Sequence, residues 1–298
     1  MSVAHHEPAP ASTVILIREK DDDIEVYLLK RSKESGFMAG NYVFPGGTVD
    51  AEDRETDKWR DHMDMKMNAI SARLGGILPV EDVLAHAVAA VRETLEEAGV
   101  FLARKETQSE EDTERLRRLR TSTGLSSDWF LRLVVSEKWT LEFSRLARWA
   151  HWITPEGMPK RYDTRFFVAF MPPGQTCVPD DWETTHGLWI RPREGLEKNL
   201  NGEIPLSPPT LLTLHELLNY PSSEKLREAL ENRPWGEPRI PRVIPTPRGP
   251  VILQPWDPSY RDVHVEIPHE ALRRKCLPPD ASFSRIWRSE GIWRPVAV

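Results

Sequence analysis

Arg92-Glu93-Thr94-Leu95-Glu96-Glu97-Ala98-Gly99-Val100, with Phe44-Pro45-Gly46-Gly47 upstream, is the stretch on which the fold turns. On a helix, positions i, i+3 and i+4 share a face, so Glu93, Glu96 and Glu97 project as one oxygen cluster with a glycine turn to face it. Each close like-charge pair on an isolated helix costs roughly 0.2–0.5 kcal/mol, so the grouping has no helix-stabilising logic of its own. A divalent cation supplies that logic. Mg2+ takes hard oxygen ligands and completes its shell with water and substrate phosphates, which suits a half-open carboxylate face. The plain alternative is a solvated acidic helix face, as most Glu runs are.

The string resembles the core of the Nudix box, and Phe44-Pro45-Gly46-Gly47 resembles its usual lead-in. The resemblance implies an α/β fold, a Nudix-like α/β/α sandwich around a mixed sheet. It makes Glu93, Glu96 and Glu97 metal ligands, with Mg2+ or Mn2+ as cofactor. Arg92 becomes the cation that orients them, Gly47 offers a backbone carbonyl near the metal, and Gly99 caps the helix in a left-handed conformation. The spacing departs from the family's. The box glycine stands 14 positions before the arginine, whereas Gly47 and Arg92 are 45 apart, so 31 extra residues interrupt the motif. The first box glutamate, eight before the arginine, falls on Leu84, with Glu81 or Asp82 as stand-ins. A split box of this kind resembles the animal peroxisomal or mitochondrial coenzyme A diphosphatases and their bacterial relatives. Pro79-x-Glu81-Asp82-Val83 and Arg161-Tyr162-Asp163-Thr164-x-Phe166-Phe167 are similar to that branch too.

Leu28-Leu29-Lys30-Arg31-Ser32 with Gly40 and Phe44 to Gly47 resembles part of the signature of coenzyme A-hydrolysing Nudix proteins. It differs at Gly36, where the signature has arginine, and at Lys30, where it has threonine. Residues 36–40 also read as a flexible turn packed by Phe37 and Met38. Arg31 and Arg161 are the expected phosphate contacts, since guanidinium forks suit phosphate oxygens. Gly46, Gly47 and Tyr162 complete the expected substrate-binding set. Glu183, six residues before Trp189, resembles a loop glutamate that in Nudix enzymes binds a further metal or acts as general base. Asp163 and His86 are its rivals, and an ordinary turn carboxylate or a structural histidine is the plain reading of each. Trp149, Trp152 and Tyr162 offer rings to an adenine, although core packing accounts for such aromatics as well.

The chain has 298 residues, 39% of them hydrophobic, with a formal net charge of −6. That supports one elaborated domain or two. It leaves no basic footprint for nucleic acid or an anionic membrane, and no apolar run reaches the 18 or so residues that span a bilayer. The basic stretches Arg115 to Arg120 and Arg239 to Arg248 read as solvated charges. Cys177 and Cys276 cannot build a disulfide framework, and no secretory signal opens the chain, so the expected compartment is the cytoplasm. The expected partner is a small-molecule nucleotide substrate, with no nucleic acid or membrane and with a homodimer left open.

Residues 1–11 are expected to be disordered, residues 12–220 to form the Nudix-type domain with an insert at about 51–78, and residues 221–298 to form a proline-rich extension packing on the domain or on a partner. The insert, with Asp53, Asp57, Asp61, Asp64 and irregularly spaced Met and Trp residues, reads as mobile and helical. Strands are expected at 13–17, 24–29, 150–153, 165–170 and 188–190. Helices are expected at 79–98, 109–121, 126–136 and 208–219, with the first turning its carboxylates outward. Eight prolines between Pro234 and Pro258 exclude a central sheet and predict an extended, wrapped segment. Trp287 and Trp293 would tie the tail to the body or form a partner surface. The expected activity is metal-dependent hydrolysis of a nucleoside-diphosphate derivative, coenzyme A or acyl-CoA first. An ADP-ribose or dinucleotide diphosphatase is the alternative enzyme, and a catalytically silent nucleotide-binding module the alternative class.

Overall fold

The computed structural model describes residues 7–32, 38–107, 109–122, 124–180, 184–268 and 270–298. In chain order its strands are β1 (Ala9–Lys20), β2 (Asp23–Arg31), β3 (Tyr42–Val43), β4 (Gly46–Thr48), β5 (Ala103–Arg104), β6 (Thr140–Leu141), β7 (Ala147–Ile153), β8 (Tyr162–Phe170), β9 (Thr184–Ile190), β10 (Arg242–Ile244), β11 (Val251–Leu253), β12 (Arg285–Ser289) and β13 (Ile292–Val296). Its α-helices are α1 (Thr56–Trp59), α2 (Met67–Ile70), α3 (Val80–Ala98), α4 (Glu110–Arg120), α5 (Trp129–Glu137), α6 (Pro192–Leu200), α7 (Pro208–Leu217) and α8 (Ser223–Leu230).

The period of two along a strand sorts apolar residues onto two faces. In β1, Val14 and Leu16 pack with α3, while Ile15 and Ile17 pack on the other side with Leu211, Leu212 and Leu214 of α7. In β2, Tyr27 and Leu29 take the α3 side and Ile24, Val26 and Leu28 the other; in β8 the partition is Phe167 and Ala169 against Phe166 and Val168. A sheet apolar on both faces needs helices on both, which is the sandwich. The sheet is mixed. β1 runs parallel to β8 and antiparallel to β2, with β7 beyond β8, β9 and β3 on β2, and β4 on the end of β1. The β1–β2 hairpin turns through Asp21 and Asp22, both at positive φ (53° and 59°), the handedness a two-residue hairpin turn prefers.

Three expectations are corrected. Disorder was expected through residue 11, yet β1 begins at Ala9, and Ala9 to Ala11 pair with Tyr162 to Thr164. Backbone pairing between two neighbouring strands needs no apolar side chains, so composition alone hides it. The insert is not a mobile appendage. Trp59, Ile70 and Leu74 are buried in the same core as α3, Trp59 lies 5.8 Å from the Phe130 ring, and His62 and Asp64 exchange backbone hydrogen bonds with Leu141. The proline-rich tail stays out of the central sheet, but it does not merely wrap. It builds a second, antiparallel sheet in the order β10-β11-β12-β13, with Pro295 on the edge strand β13, where a missing N–H is tolerated.

One face of that sheet keeps its own small core of Val251, Leu253, Trp287 and Val296. The other places Ile252, Ile286 and Trp293 in the core beneath α6 to α8. Two hydrogen bonds reinforce the docking: Asn199 Nδ2 donates to the Trp293 carbonyl at 2.8 Å and Arg294 to the Leu200 carbonyl at 2.6 Å. Among the described residues no single helix is long and apolar enough to cross a membrane, and both cysteines are free.

Trp59, 1% exposed, gauges how far the insert belongs to the core. Trp59→Ala should lower the unfolding free energy by about 3–5 kcal/mol, read from urea midpoints. A loss under about 1 kcal/mol would show the insert to be dispensable packing.

Candidate active site

Helix α3 is buried on nearly every side, between the sheet and the insert, because Val83, Ala87, Val91 and Leu95 meet the strands while Leu84, Val88 and Ala90 also find apolar neighbours. This corrects the expectation of an outward carboxylate face. Glu93 and Glu97 are buried, and only Glu96 keeps substantial exposure. The helix ends at Gly99, φ 70°, where the Gly99 and Val100 N–H groups donate back to the Leu95 and Thr94 carbonyls.

Arg92 organises the acidic turn. Its Nε and Nη2 grip the two oxygens of Asp53 at 3.1 and 2.8 Å, its Nη1 reaches Glu93 at 2.7 Å and Glu96 at 3.2 Å, and Nη2 also donates to the Thr48 carbonyl at 2.8 Å. Asp53, 1% exposed, takes the Asp50 N–H as well. Asp53 is therefore the carboxylate that the split motif left open. Leu84 is buried in the core, and Asp82 pairs with Arg54 near the surface. The signal lies in the spacing from Gly47, not in the spacing from Arg92. A glutamate eight before an arginine that is itself 14 after the glycine stands six after that glycine, and six after Gly47 is Asp53. The extra residues thus fall between Asp53 and Arg92.

Strand β4 brings the glycine turn against the helix. Ser12 and Thr13 of β1 pair with Gly47 and Gly46. The Gly46 N–H donates to Glu97 Oε2 at 2.8 Å. A Cβ on Gly47 would overlap the Glu93 carboxylate, so glycine is required there by space rather than by its own conformation.

Burial raises the carboxyl of Glu93, with Arg92 opposing and Glu96 adding to it. Burial also raises Glu96 against the pull of Arg92. Asp53 is raised by burial too, although the two-point contact with Arg92 requires its carboxylate form; dehydration, not lost charge, accounts for the direction. Burial alone would weaken the Arg92 charge, yet Asp53, Glu93 and Glu96 outweigh it. One guanidinium therefore faces more carboxylate than it neutralises. Buried carboxylates need a partner charge, and the donor set of Glu93, Glu96, Glu97 and the Gly47 carbonyl is all hard oxygen. Among the described residues no three acidic or histidine side chains already close around one point. The set fits a cation that keeps water or phosphate in part of its shell.

The structure does not gather every expected residue here. Arg161 and Tyr162 lie at the start of β8, Tyr162 opposite Ala9, three positions before the Ser12 that pairs with Gly47; at about 3.3 Å per residue that is roughly 10 Å along the strand. The Arg161 Nε donates to the Thr154 carbonyl at 3.2 Å. Arg31 ends β2 beside Thr184. Glu183 lies outside the described residues, as do Gly36 and Phe37. Trp149 and Trp152 are buried on the sheet face away from α3, under Arg233 and Arg239. Asp163 bonds His151, and His86 shares a buried contact with Ser12 Oγ at 3.0 Å. Neither is bonded to the acidic turn. Arg120, read from sequence as solvated, instead bonds the end of α3.

Residues 66–217 match the family model described as the NUDT19 Nudix domain. The chain is 31% identical over 279 residues to human acyl-coenzyme A diphosphatase NUDT19, covering 80% of this chain and 73% of that protein. It is 28% identical over 245 residues to the Xenopus laevis protein of the same name, covering 71% of this chain and 64% of that one, just under two thirds of its length. Among solved structures, a NUDIX hydrolase from Alicyclobacillus acidocaldarius is similar at a TM-score of 0.61 and 26% identity, covering 78% of this chain and 100% of that one.

His86, bonded to the Ser12 that pairs with Gly47, supplies a pH test of burial beside the glycine turn. Burial, with Arg165 adding, pushes it down to about 4 from 6.5. The folded state keeps it neutral while the unfolded chain takes the proton below about 6.5, so stability falls as pH drops through that window and levels off near 4. The loss should reach about 3 kcal/mol. Urea titrations at several pH values should show this slope in the natural protein and lose it in His86→Gln; identical slopes would contradict a buried neutral histidine.

Proposed function

Because the chain belongs to the Nudix hydrolase family, we propose that it hydrolyses the diphosphate of a nucleoside-diphosphate derivative, with coenzyme A or an acyl-CoA as substrate. One observation carries the reading: Glu93, Glu96 and Glu97 are gathered over the Gly46-Gly47 turn, with Glu93 and Glu96 sharing the Arg92 guanidinium. Mg2+ or Mn2+ would be held by these three glutamates and the Gly47 carbonyl. When bound, such a cation supplies a water of lowered pKa and neutralises diphosphate oxygens.

The chain's own groups do the rest. Arg92 fixes the direction of Glu93 and Glu96, so neither must be ordered during turnover. The Gly46 N–H holds one oxygen of Glu97 and so fixes that carboxylate against the glycine turn. One of these glutamates, or Glu183, takes the proton of the attacking water. Arg31 and Arg161 remain the guanidinium groups proposed to meet phosphate charge. The choice of coenzyme A is supported by the names of the human and frog relatives and by the partial Leu28 to Gly47 signature.

A panel of coenzyme A, ADP-ribose, NADH and diadenosine polyphosphates with Mg2+ or Mn2+ tests this. Coenzyme A should yield 4′-phosphopantetheine and 3′,5′-ADP only with metal. Much higher kcat/KM for ADP-ribose would reassign the substrate, and no cleavage under any metal would favour a binding module. Glu97→Gln should lose about a hundredfold or more in kcat while unfolding stability moves by no more than about 1 kcal/mol, since the amide oxygen still accepts from Gly46.

A further inference from the structure

The last carbonyls of a helix have no intrahelical donors, and those of α3 can be accounted for one by one. Thr94 and Leu95 are served by the Val100 and Gly99 N–H groups. Ala98 accepts from the Val178 N–H at 2.9 Å. Glu96 and Glu97, two of the three proposed metal ligands, are left to Arg120, the final residue of α4. Its Nε donates to the Glu96 carbonyl at 3.2 Å and its Nη2 to the Glu97 carbonyl at 3.5 Å and to the Val178 carbonyl at 2.7 Å.

Three further features converge on this junction. A cation at a helix C-terminus opposes the dipole there. A Cβ on Gly99 would come within 2.6 Å of Arg120 Nη1, so the glycine both adopts the left-handed cap and leaves room for the guanidinium. Trp129 opens α5 beside Glu96, where it opposes the rise that burial causes in that carboxyl. The α4–α5 segment thus meets Glu96 through both its backbone and its side chain.

We propose that Arg120 is a positioning residue, clamping the C-terminal carbonyls of α3 to the loop ahead of β9 and so fixing where Glu96 and Glu97 stand. The proposal rests on the assignment of those glutamates to the metal site. Helix ends fray unless their carbonyls are tied, and a shift of about 1 Å in a group that must meet a reacting centre can cost about a hundredfold in rate. A guanidinium reaches two helix carbonyls and the loop together. A lysine ammonium, a point donor on a flexible stem, holds fewer at once.

Arg120→Ala, Arg120→Lys and Glu96→Gln in the full chain, each assayed for Mn2+ binding by calorimetry without substrate, for kcat and KM, and for the urea midpoint, decide the matter. Arg120→Ala should weaken Mn2+ binding about tenfold and lower kcat by about tenfold to a hundredfold, with KM changing far less. Arg120→Lys should recover part of both. An Arg120→Ala protein with a lowered urea midpoint but natural Mn2+ affinity and kcat would make Arg120 a structural staple only and overturn the proposal. If that variant does not fold, Arg120→Lys carries the same readouts. Unchanged Mn2+ binding in Glu96→Gln would overturn the metal assignment beneath the proposal. Weakened binding in Glu96→Gln beside natural binding in Arg120→Ala would overturn the clamp alone.

Discussion

The buried contact between Arg92 and Asp53 is the constraint from which the site follows. A guanidinium withdrawn from water must meet carboxylate or carbonyl oxygens over its whole fork, and here it does so with Asp53, Glu93, Glu96 and the Thr48 carbonyl. Those partners come from both sides of the insert. Satisfying one cation therefore brings the glycine turn and the acidic helix together, although a long stretch of chain separates them. The insert cannot be loose while its first turn supplies Asp53 and its later turns supply Trp59, Ile70 and Leu74 to the core.

This arrangement also decides how the carboxylates behave. A surface helix could spread three glutamates into water at small cost. Helix α3 cannot, because the sheet and the insert enclose it, so dehydration raises Glu93 and Glu96 and Arg92 counters that rise only in part. The geometry explains why the acidic groups are concentrated at one turn of one helix.

Much of this was legible in the residues alone. The apolar run in β1, the partial alternation in β2, the strand-like residues of β8, the proline-opened α7 and the acidic turn of α3 are local patterns whose meaning does not depend on distant chain. What stayed hidden depends on distance. Asp53 does not emerge when the interrupted motif is counted back from Arg92, only when it is counted forward from Gly47. The insert's Met and Trp residues look aperiodic because its helical turns are short and each contributes one anchor. Arg120 sits in a basic run like any solvated one until the fold lays it across the end of α3. The prolines between Pro234 and Pro258 rightly excluded the central sheet but could not disclose the second sheet, whose short strands β10 and β11 fit between them.

The central claim is that Asp53 and Arg92 act as one unit across the insert, and a double-mutant cycle on unfolding free energy tests it most directly. Asp53→Asn, Arg92→Gln and the double variant should give a coupling of about 2–4 kcal/mol, because either single change leaves its partner charged, buried and unpaired. A coupling indistinguishable from zero would mean that the two residues contribute separately and that the box is not closed through them.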